Sequence, residues 1–100
     1  MKTYKVVVLN IAKVDVKEAH KWYDTQLKGL GKRFADDMKT TLLDVANNPT
    51  SFAIRRLNLR LANFKTFPYA AHYFINTEID TVFIIAILHT KRHPDTSSNR

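Results

Sequence analysis

The sequence predicts an α+β fold of order β-α-α-β-β-β, a twisted, mainly antiparallel sheet with an α-helical hairpin packed on one face. Three observations lead there. Two stretches of helical apolar period stand back to back, separated only by Gly29-Leu30-Gly31. Short β-branched runs stand before and after them. Between those runs, residues 58–73 (NLRLANFKTFPYAAHY) form an apolar and basic ribbon with no acidic residue.

In chain order, Tyr4, Val6 and Val8 alternate with Lys5, Val7 and Leu9, the pattern of a strand buried on at least one face. Residues 10–14 read as a connection. Asp15, with Glu18 three positions on, reads as a capping-box helix start, its carboxylate taking a free N–H of the first turn. Val16, Ala19, Tyr23, Leu27 and Leu30 then recur at helical spacing, so a first helix is expected over 16–28. The glycine pair supplies a left-handed cap and a tight turn. Phe34, Met38, Leu42 and Val45 mark a second helix that ends at Asn47-Asn48-Pro49. Helices joined so tightly lie antiparallel, and each carries one apolar stripe that needs a flat surface to cover.

Residues 52–67 read as one long strand, with Leu57, Leu59 and Leu61 on one side and Arg56, Asn58, Arg60 and Ala62 on the other. The leucine side is expected under the helices and Arg60 on the open surface. Pro68, lacking an N–H, marks a turn. A strand over 69–75, a polar hairpin loop over 76–80 and an almost continuously apolar strand over 81–88 complete the sheet. Residues 1–94 form one domain, and 95–100 a mobile polar tail.

Composition narrows the function. The 100 residues suit a single core. Cysteine is absent, which excludes disulfides and thiolate metal sites. No apolar run approaches the ~20 residues of a membrane span, and the cytoplasm is the expected location. A formal net charge of +7 favours nucleic acid or an acidic protein as partner. The charge is unevenly spread: no Asp or Glu occurs between Asp44 and Glu78, a gap that contains Arg55, Arg56, Arg60 and Lys65. With Lys91 and Arg92 these make the candidate binding set for an acidic protein or nucleic acid, since arginine forks match phosphate and carboxylate oxygens. The blander reading is a solvated sheet face whose charges keep strand edges apart.

His72, His89 and His93 lack the supporting carboxylates and same-face spacing of a metal site, so none is expected. His89 is a candidate acid or base, against the more ordinary role of a strand-end histidine bonded to a neighbour. Tyr69 and Tyr73 could stack on bases, but aromatics after a Phe-Pro turn more often fill a core. The 2 glycines are both used at the helix turn, leaving none for a phosphate-binding loop, and no nucleotide cofactor is expected.

The residues also carry a resemblance. The segment AKVDVKEAHKWYDTQL (12–27), GLGKRF (29–34), Asn48-Pro49, Asn58-Leu59-Arg60, Phe67-Pro68-Tyr69 with Tyr73, and the ending His89-Thr90-Lys91-Arg92-His93-Pro94 stand in the order and spacing of the RelE/ParE superfamily of bacterial type II toxin–antitoxin toxins. That resemblance implies a toxin neutralised by a cognate, often acidic antitoxin. It implies one of two activities: poisoning of DNA gyrase in the ParE-like branch, or ribosome-dependent mRNA cleavage in the RelE-like branch. Ala70 falls where the nuclease branch carries a basic residue, and no tyrosine follows Tyr73. The ParE-like branch is therefore the expectation, with the DNA gyrase target that goes with it. Whether the chain is an enzyme stays open: the nuclease alternative would use Arg60, His89 and Arg92, with cations on phosphate and the histidine moving a proton. A third reading is a divergent, non-toxic binding module.

Overall fold

The computed structural model describes residues 3–91. Along the chain run β1 (Lys5–Val8), α1 (Asn10–Gln26), α2 (Leu30–Asn47), a single 3-10 turn (Pro49–Ser51), β2 (Ile54–Arg56), β3 (Leu59–Asn63), β4 (Tyr69–Asn76) and β5 (Thr81–His89). The strands form one sheet in the order β1-β5-β4-β3-β2, with β1 parallel to β5 and every other pair antiparallel. The α+β class, the mainly antiparallel sheet and the helical hairpin are as the sequence predicts. The expected tail lies outside the described residues, as do Arg92 and His93.

Two local expectations need correction. The stretch read as one strand over 52–67 is a hairpin of β2 and β3, broken at Leu57, which adopts a left-handed φ of 51°. Turns of that hand are normally flagged by Gly, Asn or Asp, so a leucine there gave no signal. The first helix begins at Asn10, and Asp15 lies inside it rather than capping it. Its carboxylate instead accepts the Ile87 N–H at 3.0 Å. The need is topological. β1 pairs with β5 only as far as Val8↔Ile84, and beyond that point the edge of β5 has no strand beside it. Asp15, carried over the gap by α1, supplies the missing acceptor.

The hairpin turn depends on both glycines, for different reasons. Gly29 sits at φ 90°, where a side chain would be strained. Gly31 lies within the first turn of α2, and a Cβ there would come 2.7 Å from the His20 carbonyl, so glycine lets the helices approach. Its N–H donates to Asp24 Oδ1 at 2.7 Å, so a carboxylate on α1 caps the neighbouring helix.

The core lies between the hairpin and one face of the sheet. Tyr69, Ala71, Tyr73 and Ile75 of β4 face it with Val82, Ile84 and Ile87 of β5. An extra residue, Ile85, interrupts the β4–β5 ladder between His72↔Ala86 and Tyr73↔Ile84, and this bulge keeps both Ile84 and Ile87 turned inward. At the hairpin end the Phe34 ring lies among those of Tyr23, Phe64, Phe67 and Tyr69, with centroids 4.9–5.6 Å apart. Asp37 of α2 holds the β3–β4 turn: its carboxylate accepts the successive N–H groups of Lys65, Thr66 and Phe67 at 3.2, 2.9 and 2.8 Å.

Candidate functional site

The acid-free gap in the sequence is partly closed in space. Lys65, in the β3–β4 turn, reaches Asp44 of α2 at 3.2 Å. Exposed pairs of this kind contribute only ~0.2–1 kcal/mol, but Lys65 is no longer an uncompensated charge.

Arg60 lies on the face opposite to the one expected. It is level with Tyr73 on β4, as Ala62 is with Ala71, and Tyr73, Ala62 and Ala71 are all buried in the helix-covered core. Strand alternation separates two sides without saying which is covered, and here the leucine side is the open one. At the margin of the core the Arg60 guanidinium donates to the carbonyls of Phe52 (2.6 Å) and Thr50 (3.3 Å). Beside it the buried Tyr73 hydroxyl donates to the Pro49 carbonyl at 2.6 Å. Burial pushes the Tyr73 phenol up to about 12, against a smaller downward pull from Arg60. Tyr73 is thus a hydrogen-bond donor that ties β4 to the 3-10 turn after α2, and its buried ring is not presented for stacking.

The other candidates are spread along the sheet. Arg55 and Arg56 are exposed on β2, the edge strand. His89 is half-buried at the end of β5, level with Tyr69 and edge-on to its ring at 5.2 Å. Its Nδ1 accepts the N–H of Lys91, which is exposed, at 3.1 Å. Arg60 and His89 share a sheet face but are separated by two strand spacings and four residues of β4, roughly 16 Å between backbones. His72 is buried and projects to the opposite face from His89. No group of metal-ligating side chains converges among the described residues, and none of their helices is long and apolar enough to cross a membrane.

What sequence reasoning missed is the outer face of the sheet. Arg56 pairs with Leu59, Phe74 with Phe83, and Phe83 with Val7. One step beyond the Arg60↔Tyr73 pair, Leu59 comes level with Phe74. A single row of side chains, Arg56-Leu59-Phe74-Phe83-Val7, therefore crosses all five strands. Phe74 and Phe83 stack at 5.4 Å. Arg56, Leu57, Asn58, Leu59, Phe74, Ile75 and Ile85 line an open groove of about 520 Å³, in which the Leu57 side chain is 87% exposed. A signal did exist. β4 and β5 are apolar on both faces, and one helical hairpin can cover only one of them.

Compared with known proteins, the chain matches the family described as the ParE toxin of the type II toxin–antitoxin system parDE, over residues 6–94. Its fold is similar to that of a chain from the chromosomal ParDE toxin–antitoxin system of P. aeruginosa, with a TM-score of 0.75 at 11% identity, covering 87% of this chain and 96% of that one. It is also similar to a chain of the toxin–antitoxin complex RelBE2 from Mycobacterium tuberculosis, with a TM-score of 0.63 at 20% identity, covering 87% and 98%. No curated protein matches the chain in sequence.

Proposed function

This chain belongs to the ParE toxin family of type II toxin–antitoxin systems, and from that premise we propose that it acts in the cytoplasm as a ParE-like growth inhibitor of DNA gyrase, neutralised by a cognate antitoxin. The family match over residues 6–94 is the observation that carries the reading. The site geometry supports inhibition by binding over strand cleavage. Cleaving one phosphodiester needs the cation and the proton-transfer group within hydrogen-bond reach of the same phosphate. Arg60 is committed to the Thr50 and Phe52 carbonyls, and His89 lies at the far end of β4 from it.

Inducing the chain alone and with the product of its adjoining gene is the test. Growth arrest with DNA-damage signalling, inhibition of supercoiling by purified gyrase, and relief by the adjoining product are the expected results. Cleavage of ribosome-bound mRNA would move the chain to the RelE-like activity. Normal growth on full expression would leave a non-toxic binding module.

A further inference from the structure

We propose that the outward side of the helical hairpin, built on the lysine row Lys13-Lys17-Lys21 of α1, binds the phosphate backbone of duplex DNA without sequence preference. The inference goes beyond the inhibition proposed above and does not depend on which target that inhibition has.

Along the sequence the lysines of the hairpin alternate with acids, and the segment looks balanced. Folding separates the two signs. Asp15 accepts the Ile87 N–H, Asp37 holds the β3–β4 turn and Asp44 pairs with Lys65, so these carboxylates are drawn toward the sheet. Asp36 is taken by Lys32 at 3.3 Å, and Asp24 turns Oδ1 to the Gly31 N–H. The lysines go the other way. With Ala12, Ala19 and Tyr23 of α1 buried, Lys13, Lys17 and Lys21 are exposed at successive i, i+4 positions, ~6 Å apart along the axis. None of the three has an ion pair among the described residues. Gly31 lies against His20, so Lys39, about two turns on along α2, comes level with the Lys13 end of the row. Lys28, exposed in the helix turn, extends the other end. The sheet-side carboxylates lie a helix diameter away, ~10 Å, about one Debye length at about 0.1 M salt. The lysines therefore set the potential on the outward side. Like charges at i, i+4 also oppose the helix that carries them, a cost that a polyanion on this side would reverse.

The chemistry of the row selects its occupant. Ammonium groups held in line on a rigid helix match a regular line of phosphates and carry no base readout. A single strand fits less well, because no aromatic ring stands in the row to take an unstacked base. Trp22 is turned ~100° from Lys21 around the helix and is edge-on to Tyr23 at 5.0 Å. Ammonium groups donate only, so the row offers no acceptor for a ribose 2′-OH. An anionic membrane would use an apolar stripe beside the lysines. Ile11, Val14 and Trp22 are about half exposed there, but Glu18, four residues from both Val14 and Trp22, stands between them. The other exposed cations, Arg55 and Arg56, sit on an edge strand of 3 residues with a register shift, which gives them no comparable line.

The test titrates the full chain into a short fluorescent DNA duplex, read by anisotropy at about 50 to 200 mM salt. The parent chain should bind, weaken steeply with salt, and bind a scrambled duplex equally well. The combined variant Lys13→Gln/Lys17→Gln/Lys21→Gln should weaken binding at least about 10-fold and flatten the log–log salt slope by about 2–3, ~0.9 per lysine. Its thermal unfolding should be no earlier than the parent's, since repulsion along α1 is relieved, so lost binding would not be lost fold. Glu18→Gln, beside the row, should tighten binding by about 2-fold. Glu78→Gln makes the same change in net charge in the β4–β5 loop and should bind like the parent. Parental affinity and slope in the triple variant, an equal loss in Arg55→Gln/Arg56→Gln, or equal tightening by Glu78→Gln would overturn the assignment. So would a parent chain that fails to bind the duplex up to about 10⁻⁴ M, or one that binds single-stranded RNA or phosphatidylserine vesicles as tightly.

Discussion

The two faces of this sheet are made of similar residues and are covered to different extents. On the inner face Ile84, Val82, Ile87 and Tyr73 are sealed beneath the hairpin, and Phe34 is wrapped by four other rings. The outer face is divided: Ala70, His72, Ala86 and Leu88 are buried, whereas Leu59, Phe83 and Ile85 are half-buried and Phe74 and Leu57 are exposed. Apolar side chains stabilise a fold in proportion to the area they withdraw from water, so the sealed inner set supplies more stability than the Leu57, Leu59, Phe74 and Phe83 group, which leaves apolar area open to water. Hydrophobicity alone does not distinguish them. How far each is covered does.

Substitutions on each face should therefore report different things. The largest effect is expected at Phe34: Phe34→Ala should cost about 3–5 kcal/mol, measured by denaturant unfolding, because it empties the centre of the aromatic cluster. A cost below about 1 kcal/mol would show that the inner face is loosely packed. Next comes Asp37→Ala, which orphans three N–H groups in the β3–β4 turn and should cost about 2–3 kcal/mol. Hydrogen exchange should quicken at Thr66 and Phe67 before it does in the strands.

Tyr73→Phe should cost about 1–2 kcal/mol by leaving the Pro49 carbonyl without its donor. It also has a pH signature. The folded phenol titrates near 12 and the unfolded one near 10. The folded state thus binds more protons between those values, and the stabilisation is complete below pH 10 and lost as pH rises toward 12. The phenylalanine variant should lack that part of the alkaline decline, and an identical decline in both proteins would place its origin elsewhere. The smallest effect has the opposite sign. Leu57→Gly should raise stability by about 0.5–1 kcal/mol, since it relieves a left-handed φ and uncovers nothing. A lower melting temperature in that variant would mean that the leucine is not strained.

The sequence revealed helices, strands and class wherever local pattern and tertiary role coincide. The α2 stripe, the helix stop before Pro49, the Pro68 turn and the apolar β5 were all legible. Asp15 misleads because its spacing to Glu18 copies a cap, while its acceptor role depends on Ile87, 72 positions away. Leu57 hid a turn because it carries no turn chemistry. The side of Arg60 is not legible because period 2 defines two faces and leaves their burial undetermined. The groove escaped for the same reason, since its walls come from three separate stretches that only the sheet order brings level.

That sheet order also governs how the molecule comes off the ribosome. β1 pairs only with β5, and at ~5–20 residues per second the interval between Val8 and Thr81 is roughly 4–15 s of synthesis. During that time α1 and α2 can form as helices, but they have no completed sheet to cover. The row that ends in Phe83 and Val7 cannot exist either. Until β5 has been made the sheet cannot be completed or its core closed beneath the hairpin, so the folded surface should appear late and abruptly.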